Sequence, residues 1–232
     1  MGENLEPQQT PQRRVSPNFN DRPANQAVDM LVLHYTGMPS GAEALARLCD
    51  KDAEVSAHYL VDEDGAVHRL VDEDKRAWHA GLAWWRGAMD VNGRSIGIEL
   101  VNPGHEFGYR TFPEAQMTAL EGLAAAILKR HPIPPQNVVG HADVAPARKQ
   151  DPGELFDWSR LAAQGIGMWV SDALPVCASA LQMQVMLSAY GYDVSDLTAA
   201  ITAFQRHFRP AHVTGEADGE TAGILKALLD TV

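Results

Sequence analysis

One loop, residues 140–153, contains three side chains that can do chemistry together: the imidazole of His141, the ammonium of Lys149 and the carboxylate of Asp151. Glycine and proline residues along this segment predict irregular backbone rather than helix or strand. Polar side chains that are fixed in such a loop are more typical of a functional site than of packing. We therefore predict that His141 and Asp151 are two ligands of one metal ion.

Two predicted strands supply further ionisable groups. Residues 28–37 form an apolar run that ends near His34, and residues 95–103 place Glu99 among apolar neighbours. Each group has an ordinary explanation, because His34 could satisfy a hydrogen bond in the core and Glu99 could lie on the solvent face of an edge strand. A buried carboxylate is costly unless it meets a cation or acts as a base. We therefore favour Glu99 as a general base and His34 as a third metal ligand.

Two imidazoles and one carboxylate suit Zn²⁺, with water at the fourth corner of a tetrahedron. Zinc held in this way lowers the pKa of its water toward about 7 and polarises a carbonyl oxygen. Glu99 would take the proton from that water and return it to a leaving amine. Lys149 would stabilise the oxyanion, unless it is a solvated surface lysine. The residues alone thus predict a zinc hydrolase.

The apolar spacing predicts the elements that position these groups. Residues 41–50 and 113–131 have helical spacing, and residues 138–141 form a short strand that delivers His141 into its loop. The order of strand, strand, helix and strand indicates an α/β domain. Residues 55–71 predict a hairpin, whose His58 and His68 we interpret as structural or peripheral.

Tryptophans 78, 84 and 85 lie within eight positions, in a region of weak periodicity. Clustered aromatic residues beside a polar site often form the wall on which a sugar or peptide rests. We assign Trp78 and its neighbour His79 to the site. For Trp84 and Trp85, a plug that covers the core is an equal alternative.

The formal charge of −11 argues against a nucleic-acid partner and against binding to an anionic bilayer. Only two cysteines, Cys49 and Cys177, are present, so the sequence indicates neither a disulfide framework nor a cysteine-rich zinc site. Residues 1–23 contain no apolar run, which predicts a floppy or loosely docked arm with no signal peptide and no membrane span. A cytoplasmic location is expected, with the periplasm or the cell wall as the alternative if an export signal has been removed.

Five co-linear motifs between residues 28 and 158 resemble the zinc-dependent N-acetylmuramoyl-L-alanine amidases of the type 2 amidase family, which are related to peptidoglycan recognition proteins. The motifs are residues 34–36, 55–59, 77–81, 95–99 and 140–153. The resemblance implies a mixed central sheet flanked by helices and one zinc ion on His34, His141 and Asp151. It also implies hydrolysis of the amide between N-acetylmuramic acid and L-alanine of the stem peptide, with Glu99 and Lys149 as catalytic groups.

For the muropeptide or peptidoglycan substrate we predict five binding residues: Tyr35, Trp78, His79, Asn102 and Arg148. Asp151 stands where the phage-lysozyme and animal recognition branches tend to have cysteine. The chain is therefore similar to the bacterial branch that trims or recycles muropeptides. The sequence leaves open whether the 1,6-anhydro sugar or intact glycan is preferred.

The sequence divides into an N-terminal arm (1–23), a catalytic domain (24–164), a linker (165–178) and a C-terminal unit (179–232). The C-terminal unit has three short amphipathic segments, which predict a small three-helix bundle. It resembles the three-helix peptidoglycan-binding domain of many wall hydrolases, although it lacks the glycine-rich segment usually found between the first two helices. A bundle that only supports the catalytic domain is the alternative.

Two other functions share these features. A non-catalytic peptidoglycan recognition module would have the same fold but would lack a metal ligand, whereas all three ligands are present here. A zinc peptidase that shortens the stem peptide would use the same ligand set.

Overall fold

A six-stranded sheet organises the protein, and the computed structural model describes residues 11–231. Its strands are β1 (Gln12–Arg13), β3 (Met30–Tyr35), β4 (Tyr59–Val61), β5 (Val67–Arg69), β7 (Ser95–Leu100) and β8 (Val138–Gly140). The spatial order is β1-β5-β4-β7-β3-β8, and only β4 and β5 pair antiparallel. Strands β2 (Phe19–Asp21) and β6 (Lys75–Ala77) form a separate antiparallel pair. The predicted mixed sheet and the predicted hairpin are confirmed.

Helices cover both faces of this sheet. In the catalytic region they are α1 (Gly41–Cys49), α2 (Val91–Arg94), α3 (Gly104–Phe107), α4 (Glu114–Arg130), α5 (His141–Val144) and α6 (Trp158–Ala163). The C-terminal bundle consists of α7 (Ala180–Tyr190), α8 (Leu197–Phe208) and α9 (Gly219–Leu229). Side chains of Ser179, Asp196 and Asp218 cap the first turns of these three helices, which fixes where each begins.

Successive side chains of β3 point to opposite faces of the sheet and pack into two separate hydrophobic cores. Leu31 and Leu33 pack with α4 on one face, while Met30 and Val32 share a core with the bundle on the other. His34 is the next residue of the second set, so its side chain leaves the sheet on the bundle side. The metal-ligand candidate and the C-terminal bundle therefore lie on the same face of the sheet.

Register places the candidate groups at one edge. In the parallel β3–β7 pair His34 is opposite Glu99, and in the β3–β8 pair Leu33 is opposite Gly140. His141 follows Gly140 directly, so the carboxyl ends of three parallel strands bring these groups together.

The loop after β8 departs from the prediction of wholly irregular backbone. His141–Val144 forms one helical turn, α5, before the chain becomes irregular again. The carboxylate of Asp143 accepts a hydrogen bond from the backbone N–H of Gly140 at 2.7 Å, which closes this turn. The sequence pattern could not predict this helical turn, because a helix of one turn is too short to show a periodic spacing of apolar residues.

Of the two alternatives predicted for the N-terminal arm, floppy or loosely docked, residues 11–23 follow the docked one. Residues 1–10 of the predicted arm lie outside the described residues, but the rest is built into the fold and is not floppy. Strand β1 pairs with β5, and β2 pairs with β6. Ser16 is buried and donates to the carbonyl of Leu48 at 2.5 Å, and buried Asn18 donates to two further carbonyls. Hydrogen bonds of the backbone and of short polar side chains hold this segment against the fold. Such contacts do not require apolar residues, so the sequence pattern could not predict them.

The bundle shares its core with the catalytic region. Fully buried Trp85 packs edge-on against Tyr190 and Tyr192. Trp85 is therefore a core residue, whereas Trp84 keeps 36% of its surface exposed.

A buried polar network joins the bundle to α5. Both carboxylate oxygens of Asp143 are used, because Oδ1 accepts from the hydroxyl of Tyr192 at 2.6 Å and Oδ2 accepts from Nδ1 of His207 at 2.7 Å. The ring of His207 stacks on Trp158 with centroids 3.7 Å apart. Burial and the nearby Asp143 carboxylate raise the pKa of Tyr192 well above its ordinary value, so the hydroxyl keeps its proton and donates. The bundle thus contacts the turn that begins with His141.

We expect Tyr192→Phe to lower the free energy of unfolding by about 1–3 kcal/mol, because it leaves a buried carboxylate oxygen without its donor. Urea denaturation measures this effect. Tyr190→Phe is the matched control, since the Tyr190 hydroxyl makes only a 3.7 Å contact with the sulfur of Met168. Equal losses in the two variants would contradict a specific role for the Asp143 network.

Candidate active site

Three side chains predicted as metal ligands meet at one point. Nδ1 of His34 lies 3.0 Å from Nδ1 of His141, and Oδ2 of Asp151 lies 3.1 Å from each of these nitrogens. All three residues are buried. Strand β3, the start of α5 and the far end of the loop each supply one donor atom. This is a site for a metal ion by the spacing of its donors.

The tautomer of His141 follows from its other nitrogen. Nε2 of His141 lies 3.0 Å from the carbonyl oxygen of Ala80. A carbonyl oxygen only accepts, so Nε2 carries the proton and donates. In the neutral ring, Nδ1 of His141 therefore presents a lone pair to the site.

A chain of hydrogen bonds fixes His34 in the same way. The hydroxyl of Ser95 donates to the carbonyl of Val91 at 2.6 Å, so its oxygen accepts from Nε2 of His79 at 3.1 Å. Nδ1 of His79 then accepts from Nε2 of His34 at 3.0 Å. Burial and the nearby His141 lower the pKa of His34 to about 4, so the ring is neutral at pH 7. Its Nδ1 also presents a lone pair.

Asp151 contributes the carboxylate oxygen among the three donor atoms. Burial opposes ionisation of Asp151, but its contacts with His141 and His34 outweigh burial and lower the pKa of the carboxyl below its ordinary value. Two imidazole nitrogens and a carboxylate oxygen at 3.0–3.1 Å from one another are close enough to bind one cation. Tetrahedral ligands at about 2.0–2.1 Å from an ion are separated by roughly 3.3 Å, so the residues present fit a small divalent metal.

Glu99 faces the cavity in front of these ligands. The cavity has a volume of about 620 Å³, and Glu99, Lys149, His141 and Asp151 are among the residues that line it. Burial raises the pKa of Glu99 well above its ordinary value; the charge of Asp151 adds to this effect and Lys149 opposes it. Oε2 of Glu99 has no hydrogen-bond partner among residues 11–231. A carboxylate with an unused oxygen beside a metal site can exchange a proton with water.

The sequence profile of a family described as N-acetylmuramoyl-L-alanine amidase matches residues 24–154, more than half of the chain. The chain belongs to this amidase family. A second profile, whose description is peptidoglycan binding domain, matches residues 179–225. Both resemblances expected from the sequence are thereby confirmed.

Two curated relatives show how far the likeness extends. The amidase is 44% identical over 235 residues to N-acetylmuramoyl-L-alanine amidase AmiD of Escherichia coli, covering 88% of this chain and 83% of the relative. It is 36% identical over 169 residues to 1,6-anhydro-N-acetylmuramyl-L-alanine amidase AmpD of Citrobacter freundii, covering 65% of this chain and 88% of the relative. The first match therefore includes the C-terminal region.

Solved structures share the fold. The complex of AmiD from Escherichia coli with anhydro-N-acetylmuramic acid-L-Ala-D-gamma-Glu-L-Lys superposes with a TM-score of 0.81 at 40% identity, covering 91% of this chain and 93% of that one. AmpDH3 from Pseudomonas aeruginosa in complex with anhydromuramic pentapeptide has a TM-score of 0.76 at 33% identity, covering 94% and 98%. The likeness spans the sheet and the bundle.

Three of the predicted substrate-binding residues of the amidase line the cavity, and hydrogen bonds to neighbouring residues hold each side chain in place. Tyr35 contacts Nδ1 of His105 through its hydroxyl at 2.9 Å. Trp78 donates from its indole nitrogen to Asn20 at 2.7 Å. Arg148 donates from Nη2 to the carbonyl oxygens of Ala80 and Leu82. Their role toward substrate stays a prediction.

His79 lies at the cavity, as predicted, with both ring nitrogens in hydrogen bonds. One nitrogen is engaged with His34 and the other with Ser95. A Cβ atom at Gly97 would lie 2.4 Å from the His79 ring, so only glycine leaves room for it on β7. His79 therefore orients the ring of His34, and its role toward substrate stays a prediction.

Asn102 is not part of the cavity wall. It is fully buried, its amide donates to the carbonyl of Arg110 at 2.8 Å, and its Oδ1 accepts from the backbone of Gly104 at 3.0 Å. These contacts close the turn after β7 and use the side-chain amide of Asn102 within the fold, so its role toward substrate stays a prediction. Its position just beyond a strand end is shared by binding residues and turn residues alike.

Two cations in the cavity wall were not predicted from the sequence, Arg47 of α1 and Arg206 of α8. Arg206 comes from the C-terminal bundle, more than fifty residues beyond Asp151. No local motif could place it at this site. Only the packing of the bundle on the same sheet face as His34 explains its presence.

Proposed function

We propose that the chain is a zinc-dependent amidase that hydrolyses the bond between N-acetylmuramic acid and L-alanine in peptidoglycan fragments, in cell-wall turnover or recycling. The observation that carries this proposal is the convergence of three lone-pair donors, with an unpartnered carboxylate in the same cavity. Two imidazole nitrogens and one carboxylate oxygen form a donor set that would suit zinc, at one ion per chain. Relatives bound to anhydro-muropeptides support the 1,6-anhydro sugar as the substrate form.

His34, His141 and Asp151 would hold the zinc ion, which supplies Lewis-acid chemistry for the carbonyl and for water when it is bound. Glu99 accepts a proton from the attacking water and delivers it to the nitrogen of the leaving L-alanine. Lys149 contributes positive charge where the carbonyl oxygen becomes negative in the tetrahedral transition state. The cavity holds the lactyl-alanine amide between these groups.

Mass spectrometry of products from purified anhydro-muropeptides tests the reaction. Free stem peptide that begins with L-alanine, together with the free sugar acid, is the expected result. Shortened stems that remain attached to the sugar would indicate a zinc peptidase instead. Binding without cleavage by the zinc-loaded protein would indicate a recognition module.

The compartment stays a prediction, cytoplasmic with a periplasmic or wall-associated alternative. None of the helices between residues 11 and 231 is long and apolar enough to cross a membrane.

We expect His79→Ala to weaken zinc binding by about 10- to 100-fold. The change removes Nδ1 of His79, which accepts the hydrogen bond from Nε2 of His34 and so orients the His34 ring. Competition with a chromogenic chelator measures the zinc dissociation constant. His105→Ala is the control, since His105 contacts Tyr35 in the cavity wall and none of the metal ligands. Equal zinc affinity in His79→Ala and the wild type would show that His79 does not position His34.

A further inference from the structure

Arg206 is the one residue of the C-terminal bundle among those that line the active-site cavity. Its side chain is only 21% exposed, yet Nε is buried without a hydrogen-bond partner among residues 11–231. An arginine has five N–H donors in a planar fork, and a largely buried one normally uses several of them. The buried Nε is not itself open to a ligand, so the terminal nitrogens are the donors that can reach one at the cavity wall.

Glu154 pairs with Arg206 at Nε. Nε of Arg206 lies 3.5 Å from Oε2 of Glu154, close enough for an ion pair but without hydrogen-bond geometry. Glu154 is shared, because Nε2 of His105 lies 3.2 Å from its other oxygen. His105 stacks on Tyr109 and contacts the hydroxyl of Tyr35, which makes a rigid wall beside the guanidinium. With Nε beside Glu154, the terminal nitrogens are the donors that Arg206 offers the cavity.

The charge of the cavity points to an anionic ligand. Its wall contains four cationic side chains and two carboxylates, although the whole chain has a formal charge of −11. The cationic residues are Arg47, Arg148, Lys149 and Arg206, and the acidic residues are Glu99 and Asp151. The two carboxylates are assigned to the metal and to proton transfer, so the surplus of positive charge faces the substrate.

We propose that Arg206 binds a carboxylate of the stem peptide, which makes the bundle part of the substrate site. This inference rests on the proposed function. A γ-linked glutamate, as in the ligand of the AmiD complex, leaves its α-carboxylate free, and the last residue of the stem has a terminal carboxylate. A guanidinium fork matches a carboxylate with two parallel hydrogen bonds. Arg206 thus selects stems by charge at a distance from the bond that is cut.

Calorimetric binding of the free tripeptide L-Ala-D-γ-Glu-L-Lys to the zinc-loaded protein tests this assignment without any reaction. We expect Arg206→Gln to weaken binding about 10- to 100-fold and Arg206→Lys to recover part of the loss. Lys226→Gln is the matched control, because Lys226 lies on α9 of the same bundle in an exposed pair with Asp230. The control is expected to bind like the wild type.

Two amidated tripeptides identify which carboxylate is bound. One has the glutamate α-carboxylate converted to an amide, and the other has the terminal carboxylate converted. Wild-type protein is expected to bind one of these forms 10- to 100-fold more weakly than the free acid, and Arg206→Gln is expected to bind that form and the free acid equally. Dependence on the α-carboxylate assigns Arg206 to the glutamate, and dependence on the terminal one assigns it to the stem end.

Two outcomes would overturn the proposal. Wild-type protein that binds both amidated tripeptides as well as the free acid has no such subsite, and this result does not depend on how any variant folds. Undiminished discrimination by Arg206→Gln would assign the subsite to another residue. Hydrolysis of muropeptides is scored separately, so a wild type that discriminates by charge but releases no stem peptide contradicts the proposed reaction and leaves the role of Arg206 intact.

Discussion

Asp151→Ala is expected to lose its zinc ion and to reduce muropeptide hydrolysis to the background rate. The change removes the carboxylate from a set whose other members are the imidazole nitrogens of His34 and His141. Two neutral nitrogens hold zinc far more weakly than three ligands that include a carboxylate. Metal analysis after dialysis, together with the release of stem peptide, measures both effects.

Thermal unfolding provides a second readout of the same change. A metal that binds only the folded state stabilises it by about 4 kcal/mol when its concentration is a thousand times its dissociation constant. A chelator should therefore lower the melting temperature of the wild type and leave that of Asp151→Ala unchanged. Asp172→Ala, in the exposed segment before the bundle, is the control and should behave like the wild type. One zinc ion per chain in Asp151→Ala would show that the ligands have been wrongly assigned.

The meeting of the three candidate ligands was predictable because the chemistry of their side chains coincided with strand ends. His34 and His141 each follow an apolar run of strand length, and parallel strands place their carboxyl ends side by side. Asp151 was predictable as a carboxylate in the same glycine- and proline-rich loop. Their actual donor atoms were not, because the use of Nδ1 in both histidines depends on Ala80 and on His79.

Other parts of the site lie beyond what local pattern can indicate. Asn102 and His79 have the same polar character as substrate-binding residues, but their hydrogen bonds are made inward, to Gly104 and to His34. Arg206 lies in a helix whose apolar spacing predicts only a bundle. Its place in the cavity depends on which sheet face the bundle covers, and that is a property of long-range packing.

The bundle therefore has two contacts with the site. Through Tyr192 and His207 it fixes Asp143, two residues after a metal ligand, and through Arg206 it reaches the cavity wall. The same bundle can therefore support the catalytic region and also bind peptidoglycan fragments. The Tyr192 and Arg206 variants separate them, because the first changes stability and the second changes ligand binding.

Glu99→Gln is expected to lower kcat by about 10²- to 10⁴-fold while one zinc ion per chain is retained. Glutamine keeps the size of the side chain in β7 but cannot accept a proton from water or return one to the leaving amine. Steady-state hydrolysis of anhydro-muropeptide and metal analysis of the same sample make the comparison. Glu106→Gln, an exposed glutamate in α3, is the control and should retain wild-type kcat.

The pH dependence distinguishes a base from a residue that only shapes the cavity. Burial, aided by the charge of Asp151, raises the pKa of Glu99 above its ordinary value. As the pH falls, Glu99 therefore becomes protonated at a higher pH than an ordinary glutamate does. The wild-type rate should therefore decline on the acid side at a pH above the ordinary glutamate pKa of about 4.5, and it should recover when the pH is raised. In Glu99→Gln the residual rate should not have this acid limb. A Gln variant with most of the wild-type kcat and the same pH profile would assign proton transfer to another group.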